Sequence, residues 1–342
     1  MDLNGDGYLD ILSGSYSRED KDMAGLFQVL WGQEGNKFAK AKPLNGEDGE
    51  PLVLPGSGGT ADVQRICTRP TAADLNGDGH LDLVVGNFGG TFFMFLGLGQ
   101  GKFESTATGM VDADDSPLQV EMHSDPFLVD WDKDGDLDLL TGSAAGGAFL
   151  FENLGTKTQP KFGTRQTLLE PAGHSFEGSQ LGDAHITKPQ SSTRVYADDV
   201  NGDGKLDLLI GDMASINQLA EGVDKDGVEE KLAAWNKSSA KITARMDVLQ
   251  DKLFGDPEKM EEVQRRMEAE YAQQAEQESE DVEEANKDES EDDAKASKLG
   301  EEFEKEYSEF QKVNKEFQKL YDARSKIIRL EMTGFVWVLY QK

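Results

Sequence analysis

Residues 1–217 alternate between short apolar runs and acidic, glycine-rich segments. One acidic segment with its apolar run, DLNGDGHLDLVVGN, starts at Asp74, and similar stretches start at Asp2, Asp130 and Asp199. Each reads D-x-[DN]-x-D-G-x-L-D and continues into a short, mainly apolar run that ends in Gly. An apolar run of this length, bounded by turn residues, predicts a β-strand after each acidic loop. Repetition at this scale predicts a repeat architecture.

The segments on either side of the acidic loops repeat as well. Aromatic-rich runs at 25–38, 90–103 and 147–162 each contain a Gly-bearing turn and end in Lys-Phe, which predicts two antiparallel strands with a tight connection. The stretches CTRPTAAD, DPFLVD and TRVYAD precede the later loops and are further strand candidates. One unit therefore runs strand, acidic loop, strand, turn, strand, turn, strand, and such four-stranded units are blades of a β-propeller.

The fourth unit is interrupted. Its strand LDLLIGD (206–212) leads into a long charged tract, and the next aromatic strand candidate is TGFVWVLYQK at 333–342. We therefore predict β-propeller blades over 1–217, an acidic helical insertion over 218–331, and a returning strand of the fourth blade over 332–342. The fold class is mainly β, with an inserted helical segment.

The insertion is poor in glycine and proline, and its apolar residues follow a heptad, which is typical of helices that pack along each other. An antiparallel coiled coil is predicted, because both ends of the insertion return to the same blade. The number of helices stays open. The stretch 276–293 is dominated by carboxylates and is predicted to be solvated and mobile. The heptad positions are Val228, Leu232, Trp235, Ile242, Met246, Leu249, Leu253, Met260, Val263, Met267, Tyr271, Phe303, Phe310 and Phe317.

The acidic loops have the residue types and spacing of a calcium site. Calcium takes six to eight oxygen ligands, which alternate residues of a nine-residue loop can supply. Gly79, at the sixth position, fits a sharp turn that a Cβ would obstruct. The alternative is that Asn-Gly-Asp-Gly only forms a turn, but a turn leaves the invariant Asp at the ninth position unexplained. An EF-hand is excluded because no acid stands at the twelfth position, where Val85 and Thr141 lie.

By this spacing the sequence predicts up to four Ca²⁺ ions. The ligands are side-chain oxygens at positions one, three, five and nine and the backbone carbonyl at position seven. In chain order the sets are Asp2, Asn4, Asp6, Tyr8 and Asp10; Asp74, Asn76, Asp78, His80 and Asp82; Asp130, Asp132, Asp134, Asp136 and Asp138; and Asp199, Asn201, Asp203, Lys205 and Asp207.

Composition restricts the partners. The formal net charge is −31 at pH 7, which disfavours nucleic acid and anionic membrane surfaces and favours a cation. The single cysteine, Cys67, excludes an internal disulfide framework and lies in an apolar-alternating stretch typical of a buried thiol. No apolar run is long enough to insert into a membrane.

These units resemble the FG-GAP and VCBS repeats of integrin-α-like β-propellers, with DLNGDGHLDLVVGNFGG as the nearest match. The resemblance implies calcium binding in the acidic loops and an extracellular, periplasmic or cell-surface location. The Gly-Ala-Pro element of such repeats is absent, which favours the VCBS-like branch. Four units are fewer than such propellers usually contain. A fragment of a larger propeller is therefore the first interpretation, with further blades and a signal peptide expected upstream, and a small closed ring is the second.

The sequence contains no recognisable catalytic constellation. The four histidines, His80, His123, His174 and His185, lack zinc-site spacing, and we interpret His123 and His185 as ordinary loop residues. Two hypotheses remain. The first is a non-enzymatic, calcium-stabilised binding or adhesion module for a protein or carbohydrate ligand, with the helical insertion as a docking or spacer arm. The second is the propeller part of a polysaccharide-active enzyme such as a lyase. The identity of the ligand and the oligomeric state stay open.

Overall fold

The structure is a computed structural model that describes residues 1–16, 26–56, 63–172, 181–256, 259, 262, 263, 265, 266 and 300–341. The chain divides into two compact units. The first, the β unit, comprises Met1–Phe176, Asp183–Ile216 and Met332–Lys342, and the second, the helical unit, comprises Glu177–Gly182 and Asn217–Glu331. Predictions that fall outside the described residues concern the acidic stretch 276–293, His174, and the heptad positions Met260, Met267 and Tyr271.

The described residues form a mainly β protein with antiparallel sheets and two long helices. The strands are β1 (Ile11–Ser13), β2 (Gln28–Leu30), β3 (Gly32–Gln33), β4 (Lys37–Phe38), β5 (Lys42–Pro43), β6 (Arg69–Ala73), β7 (Asp82–Gly86), β8 (Phe92–Phe95), β9 (Gly97–Gly99), β10 (Lys102–Phe103), β11 (Thr108–Gly109), β12 (Asp125–Val129), β13 (Asp138–Gly142), β14 (Ala148–Phe151), β15 (Gln166–Leu169), β16 (Ser191–Asp198), β17 (Asp207–Leu219), β18 (Ile328–Thr333) and β19 (Val336–Leu339).

Four open sheets repeat one antiparallel pattern, and each belongs to one sequence repeat. The second and third sheets have four strands, in the orders β11-β8-β7-β6 and β12-β13-β14-β15. The first sheet has the order β1-β2-β5. In the fourth, β17 pairs with β16, β18 and β19. The acidic loops of repeats two to four therefore each connect the first strand of a sheet to the second, as the sequence pattern predicts.

The predicted Lys-Phe hairpins are present in the first two repeats, but their first strand is separate from the aromatic strand of the sheet. Lys37–Phe38 and Lys102–Phe103 do not pair with the aromatic strands β2 and β8 but form the separate two-stranded sheets β3-β4 and β10-β9. The outer partners of β2 and β8 are the later strands β5 and β11. The reason is a break at Gly32 and Gly97, where the backbone passes so close to the carbonyls of Leu9 and Leu81 that a Cβ would overlap them.

The fourth sheet receives its third strand from the end of the chain. β19 pairs antiparallel with β17 in the register Leu208↔Leu339 and Gly211↔Val336. It takes the place next to the post-loop strand that β8 and β14 take in the second and third sheets. The predicted return of the chain to the fourth repeat is therefore present in the structure.

The hydrophobic core of the β unit lies in three clusters, each formed by two consecutive sheets. The post-loop strand β7 sends Leu83 and Val85 into the first cluster and Val84 into the second. Strand β13 likewise places Leu139 in the second cluster and Leu140 in the third. Alternate side chains of a strand point to opposite faces, so these strands are buried on both faces. This explains why the runs after the acidic loops are continuously apolar.

Consecutive repeats are joined at one recurring contact. The N–H groups of Ser15, Asn87 and Ser143 donate to the hydroxyls of Thr68, Ser124 and Thr193 of the following repeat, at 2.8, 2.8 and 3.1 Å. The preceding glycines, Gly14, Gly86 and Gly142, have no room for a Cβ, because the carbonyl oxygens of the same Thr and Ser residues occupy that space. The corresponding Gly211 of the fourth repeat has nothing within 4 Å of an added Cβ.

In the helical unit, helices α1 (Val228–Phe254) and α2 (Gly300–Ser325) run antiparallel. The indole Nε1 of Trp235, near the start of α1, donates to the carbonyl of Leu320 near the end of α2 at 2.8 Å, while Leu253 packs with Phe303 at the opposite ends. Buried residues of α1 lie three or four apart from Val228 to Ser239 and again from Leu249 to Leu253, as expected for one face of a helix. Within the part of the chain that the structure describes, no helix has the length and apolar character of a membrane span.

The joint between repeats is testable with a matched pair of glycine substitutions. Gly142→Ala places a methyl group against the backbone of Thr193, so overpacking should lower the free energy of unfolding by about 1–3 kcal/mol. Gly211→Ala has the same position in the fourth repeat but meets no neighbour, and we expect it to change stability by less than about 0.5 kcal/mol. Thermal denaturation followed by circular dichroism checks both variants. Equal losses would contradict the joint.

Candidate metal-binding loops

The four acidic loops share one backbone conformation. The sixth position is Gly with a positive φ in every copy, between +84° and +99°. The fourth position is also left-handed, and Lys133 adopts φ 68° where the other copies have Gly. At position seven, the N–H of His80 donates to the fifth-position carboxylate of Asp78 at 2.8 Å, and the other loops contain the same bond. The loops are therefore four copies of one turn structure, with Lys133 as a sterically disfavoured substitute.

The ninth-position aspartate connects each loop to the third strand of the repeat. This is the strand that pairs with the strand after the loop, namely β2, β8, β14 or β19. Asp10, Asp82, Asp138 and Asp207 are all at least 95 % buried. One oxygen of each, Oδ1, accepts the backbone N–H two residues beyond the third strand, a contact that we call the strand latch. The donors and N···O distances are Gly32 (2.7 Å), Gly97 (2.8 Å), Asn153 (2.7 Å) and Gln341 (3.0 Å). The invariant ninth Asp therefore has a structural role that reasoning from the sequence missed.

The second oxygen of this aspartate distinguishes the fourth loop from the others. In the first three loops Oδ2 accepts the N–H of the second loop residue, which is Leu3, Leu75 or Trp131, at 2.8–3.0 Å. In the fourth loop the corresponding N–H, of Val200, donates instead to the carbonyl of Asp198 at 3.0 Å. Oδ2 of Asp207 is therefore buried without a hydrogen-bond partner among the residues that the structure describes.

The first-position aspartates also differ between loops. Asp2 and Asp199 each accept three backbone N–H groups from their own loops, so both oxygens are occupied. Asp74 and Asp130 each accept one N–H, on Oδ2, and their Oδ1 atoms are buried with no partner in the described part of the chain. A buried carboxylate oxygen without a donor is costly unless a cation or a water is nearby. Loops two and three thus each leave one oxygen available for a cation.

The third loop brings the most negative charge together. Oxygens of Asp130, Asp132 and Asp138 all lie within 4.8 Å of one another, and this is the one group of three potential metal-ligating side chains found among the described residues. The predicted ligand Asp134 is not in the group; its Oδ1 accepts the N–H of Asp136 at 3.1 Å. The donor set is entirely carboxylate oxygen, which suits a hard cation such as Ca²⁺ or Mg²⁺.

The electrostatics of the loops reflect this crowding. Burial, followed by repulsion from Asp134 and the other loop carboxylates, raises the pKa of Asp136 to about 6. Burial also raises the pKa values of Asp82 and Asp138. The pKa of Asp78 is lowered, chiefly because the backbone N–H of His80 donates to its carboxylate. The ionised third loop is therefore strained by its own charge, and a bound cation would relieve that strain.

The remaining predicted residues lie within the loops but outside this group. The third-position Asn4, Asn76 and Asn201 each accept the N–H of the fifth residue through Oδ1. At position seven, where the backbone carbonyl is the predicted ligand, the side chains of Tyr8, His80 and Lys205 are exposed, whereas that of Asp136 is buried. The fifth-position Asp6 and Asp203 hold the turn through the N–H groups of Tyr8 and Lys205.

A second polar cluster lies at the opposite ends of the strands that lead into the loops. Asp125, the first residue of β12, pairs with Arg69 of β6 at 3.3 Å and with Arg194 of β16 at 2.5 Å. The ring of His123 packs edge-on to Phe88, with centroids 4.6 Å apart. Burial, followed by the charges of Arg69 and Arg194, lowers the pKa of His123. Arg69, Asp125 and Arg194 each stand five residues before the first aspartate of their own loop, so the register of the repeats gives a sign of this cluster that the sequence analysis did not use.

Repeated antiparallel sheets, each preceded or interrupted by an acidic loop, define a β-rich repeat protein. Residues 74–141 and 130–210 match the family model described as an FG-GAP-like repeat. The chain therefore carries FG-GAP-like repeats, and the family resemblance seen in the sequence is confirmed. A comparison with curated proteins found no match.

The raised pKa of Asp136 leads to a pH-dependent prediction. Because the folded-state pKa is about 6 and the ordinary value is 3.8, the folded state binds more protons between these values, and stability falls as pH rises through this window. In protein stripped of divalent cations, Asp136→Asn should therefore stabilise by about 1–3 kcal/mol at pH 7.5 and by almost nothing below pH 4.

Thermal melting at both pH values measures this difference. Asp114→Asn, which neutralises an exposed carboxylate outside the four loops, is the matched control and should give no gain at either pH. An Asp136→Asn variant that melts at or below the wild-type temperature at pH 7.5 would contradict the crowding of charge in the third loop.

Proposed function

We propose that this chain is a calcium-stabilised, non-enzymatic binding module of the β-propeller type. The observation that carries the proposal is a set of four buried carboxylate oxygens that have no hydrogen-bond donor among the described residues, each within an acidic loop. They are Oδ1 of Asp74, Asp130 and Asp136 and Oδ2 of Asp207. Calcium is the chosen cation because all side-chain donors are oxygens and loop ligands adapt to its flexible, high-coordination shell. Bound calcium supplies charge neutralisation and no chemical step.

The four loops differ in how many carboxylate oxygens they leave available to a cation. The third loop offers Asp130, Asp132 and Asp138 together, the second offers the free oxygen of Asp74, and the fourth that of Asp207. In the first loop both Asp2 and Asp10 have all their oxygens occupied by backbone donors. We therefore rank the third loop first and the first loop last in calcium affinity.

The propeller assignment rests on the packing of consecutive sheets. Each sheet buries a cluster of apolar side chains against the next, and the same Gly and hydroxyl joint recurs between sheets. Face-to-face packing of four-stranded sheets with an equivalent joint at each step is the arrangement of propeller blades. The FG-GAP-like match over 74–210 supports this assignment. We propose an extracellular, periplasmic or cell-surface location, where calcium is abundant enough for weak sites.

For the segment between residues 218 and 331 we propose an antiparallel coiled coil that serves as a spacer or protein-docking arm. Support comes from the two antiparallel helices and from cross-helix pairs such as Arg245 with Glu309 and Glu316 at 3.0 and 2.8 Å. Charged pairs beside an apolar seam are typical of coiled coils. In the same proposal, residues 1–217 and 332–342 form the propeller part.

A second candidate function, part of a polysaccharide-active enzyme, is favoured by one observation. Arg69, Asp125, Arg194 and His123 form a polar cluster with an excess of basic groups in a chain of net charge −31. Such a cluster suits an acidic polysaccharide, and the lowered pKa keeps His123 in the neutral form that a general base requires.

Incubation with a panel of uronate polysaccharides, followed by an assay for new chain ends, decides between the two candidates. We expect binding without cleavage. Arg194→Gln should weaken that binding, because it removes an exposed cation from the cluster. Cleavage that is lost in the Arg194→Gln variant would replace the binding proposal with the enzymatic one.

Calcium binding itself is tested by calorimetry and melting. Calcium at about one hundred times its dissociation constant should stabilise the folded state by about 2.7 kcal/mol per site. Asp132→Asn retains an acceptor for the N–H of Asp134 and gives the third loop the Asn that the other loops carry at this position. Because it removes one carboxylate, it should lower the calcium affinity of the third loop without removing the site. Asp114→Asn, outside the loops, is the charge-matched control and should bind as the wild type does. Calorimetry without calcium-dependent heat would overturn the proposal.

A further inference from the structure

The fourth repeat holds its third strand by a much longer connection than the others do. The strand latch joins residues 15 apart in the second and third repeats, Asp82 to Gly97 and Asp138 to Asn153, but 134 apart in the fourth, Asp207 to Gln341. A longer connection restricts the strand less before it pairs, so more of its placement must come from contacts made in the folded state.

Strand β19 makes few apolar contacts where it pairs with the fourth sheet. Strand β14 is buried at all four positions, whereas β19 alternates between exposed and partly buried residues, with Val336 75 % and Val338 37 % exposed. Polar contacts hold both ends of β19. At its start Asp212 accepts the N–H of Phe335 at 2.8 Å and the indole Nε1 of Trp337 at 3.1 Å, and at its end Asp207 accepts the N–H of Gln341.

Of the two aspartates that hold β19, Asp207 makes the weaker contact. Its side chain is fully buried, and only Oδ1 has a hydrogen-bond partner, so the charge on Oδ2 is not compensated by any donor among the described residues. In the other three repeats the equivalent Oδ2 accepts a loop N–H. Burying an ionised carboxylate with an unpaired oxygen is unfavourable, which weakens the latch to Gln341 unless a positive charge is present.

The geometry points to Asp207 as a shared ligand, which holds the return strand β19 through Oδ1 and a calcium ion of the fourth acidic loop through Oδ2. Calcium in the fourth loop therefore controls whether β19 stays paired with β17. This inference rests on the proposed calcium binding and adds a role specific to the fourth loop. By thermodynamic linkage, the pairing of β19 with β17 raises the calcium affinity of that loop by as much free energy as calcium adds to the pairing.

Hydrogen exchange of the full-length chain, followed by mass spectrometry, tests the coupling. Calcium should slow exchange in peptides covering 333–341 by at least about tenfold, relative to the stripped protein. Peptides covering β8 should change much less, because both oxygens of Asp82, the ninth-position aspartate of the second repeat, already accept N–H groups. They also report whether each variant is folded.

A matched pair of variants separates the fourth loop from general stabilisation. Asp203→Asn and Asp78→Asn remove the fifth-position charge from the fourth and second loops, and each retains an oxygen for the N–H of Lys205 or His80. Asp203→Asn should abolish the calcium-dependent protection of 333–341, and Asp78→Asn should preserve it. Loss of protection in both variants, or in neither, would overturn the inference.

The reciprocal effect gives a second, independent test. Gln341→Pro removes the N–H that Asp207 accepts without changing any loop residue, so it should weaken one class of calcium site by about tenfold in calorimetry and leave the others unchanged. An unchanged binding isotherm would contradict the shared-ligand role. If the wild type binds no calcium, the proposed function itself fails. If it binds calcium without any protection of 333–341, only the present inference fails.

Discussion

The structure of the β unit depends on the buried carboxylate at the ninth position of each acidic loop. This carboxylate accepts a backbone N–H that lies just beyond the third strand, where the chain no longer pairs with the second strand. Asp10, Asp82 and Asp138 each accept two backbone N–H groups, whereas Asp207 accepts one. Hydrogen bonds to an ionised acceptor that is shielded from water are stronger than neutral ones. Loop, second strand and third strand are thereby fixed together in each repeat. The apolar clusters between sheets require that fixed arrangement, because they place alternate side chains of one strand into two different clusters.

Much of this architecture could be predicted from the sequence. The four loops, the strands on either side of them and the return of TGFVWVLYQK to the fourth repeat all follow from local periodicity and internal repetition. The latch could not, because the donor N–H belongs to Gly32, Gly97, Asn153 or Gln341, and a backbone group has no residue signature. The joint hydroxyls of Thr68, Ser124 and Thr193 were also missed. They stand 53, 37 and 50 residues from their partners, so no fixed spacing identifies them.

The same reasoning explains why the loops are not equivalent despite one motif. Identical residue types at positions one and nine have different partners, since the N–H of Val200 donates to Asp198 whereas that of Leu75 donates to Asp82. Where a backbone donor is diverted, a carboxylate oxygen has no hydrogen-bond donor among the described residues, and this difference separates loops that the motif alone makes identical. The third loop reaches a similar state by another route, because its seventh residue, Asp136, adds a buried carboxylate with an unpaired oxygen.

The placement of β19 also bears on how such repeats acquire new domains. The third strand is positioned by its ladder to the second strand and by a carboxylate at each end, and none of these contacts involves the connecting segment. In the second repeat the equivalent connector is the short turn after Asn87. Grafting an unrelated domain into that turn would leave the ladder of Phe92–Phe95 to β7 intact, provided that the bonds from Val120 and Ser124 to the carbonyls of Gly90 and Thr91 are kept. Repeats of this kind are therefore natural acceptors for insertion, and protein engineers gain several equivalent positions in one scaffold.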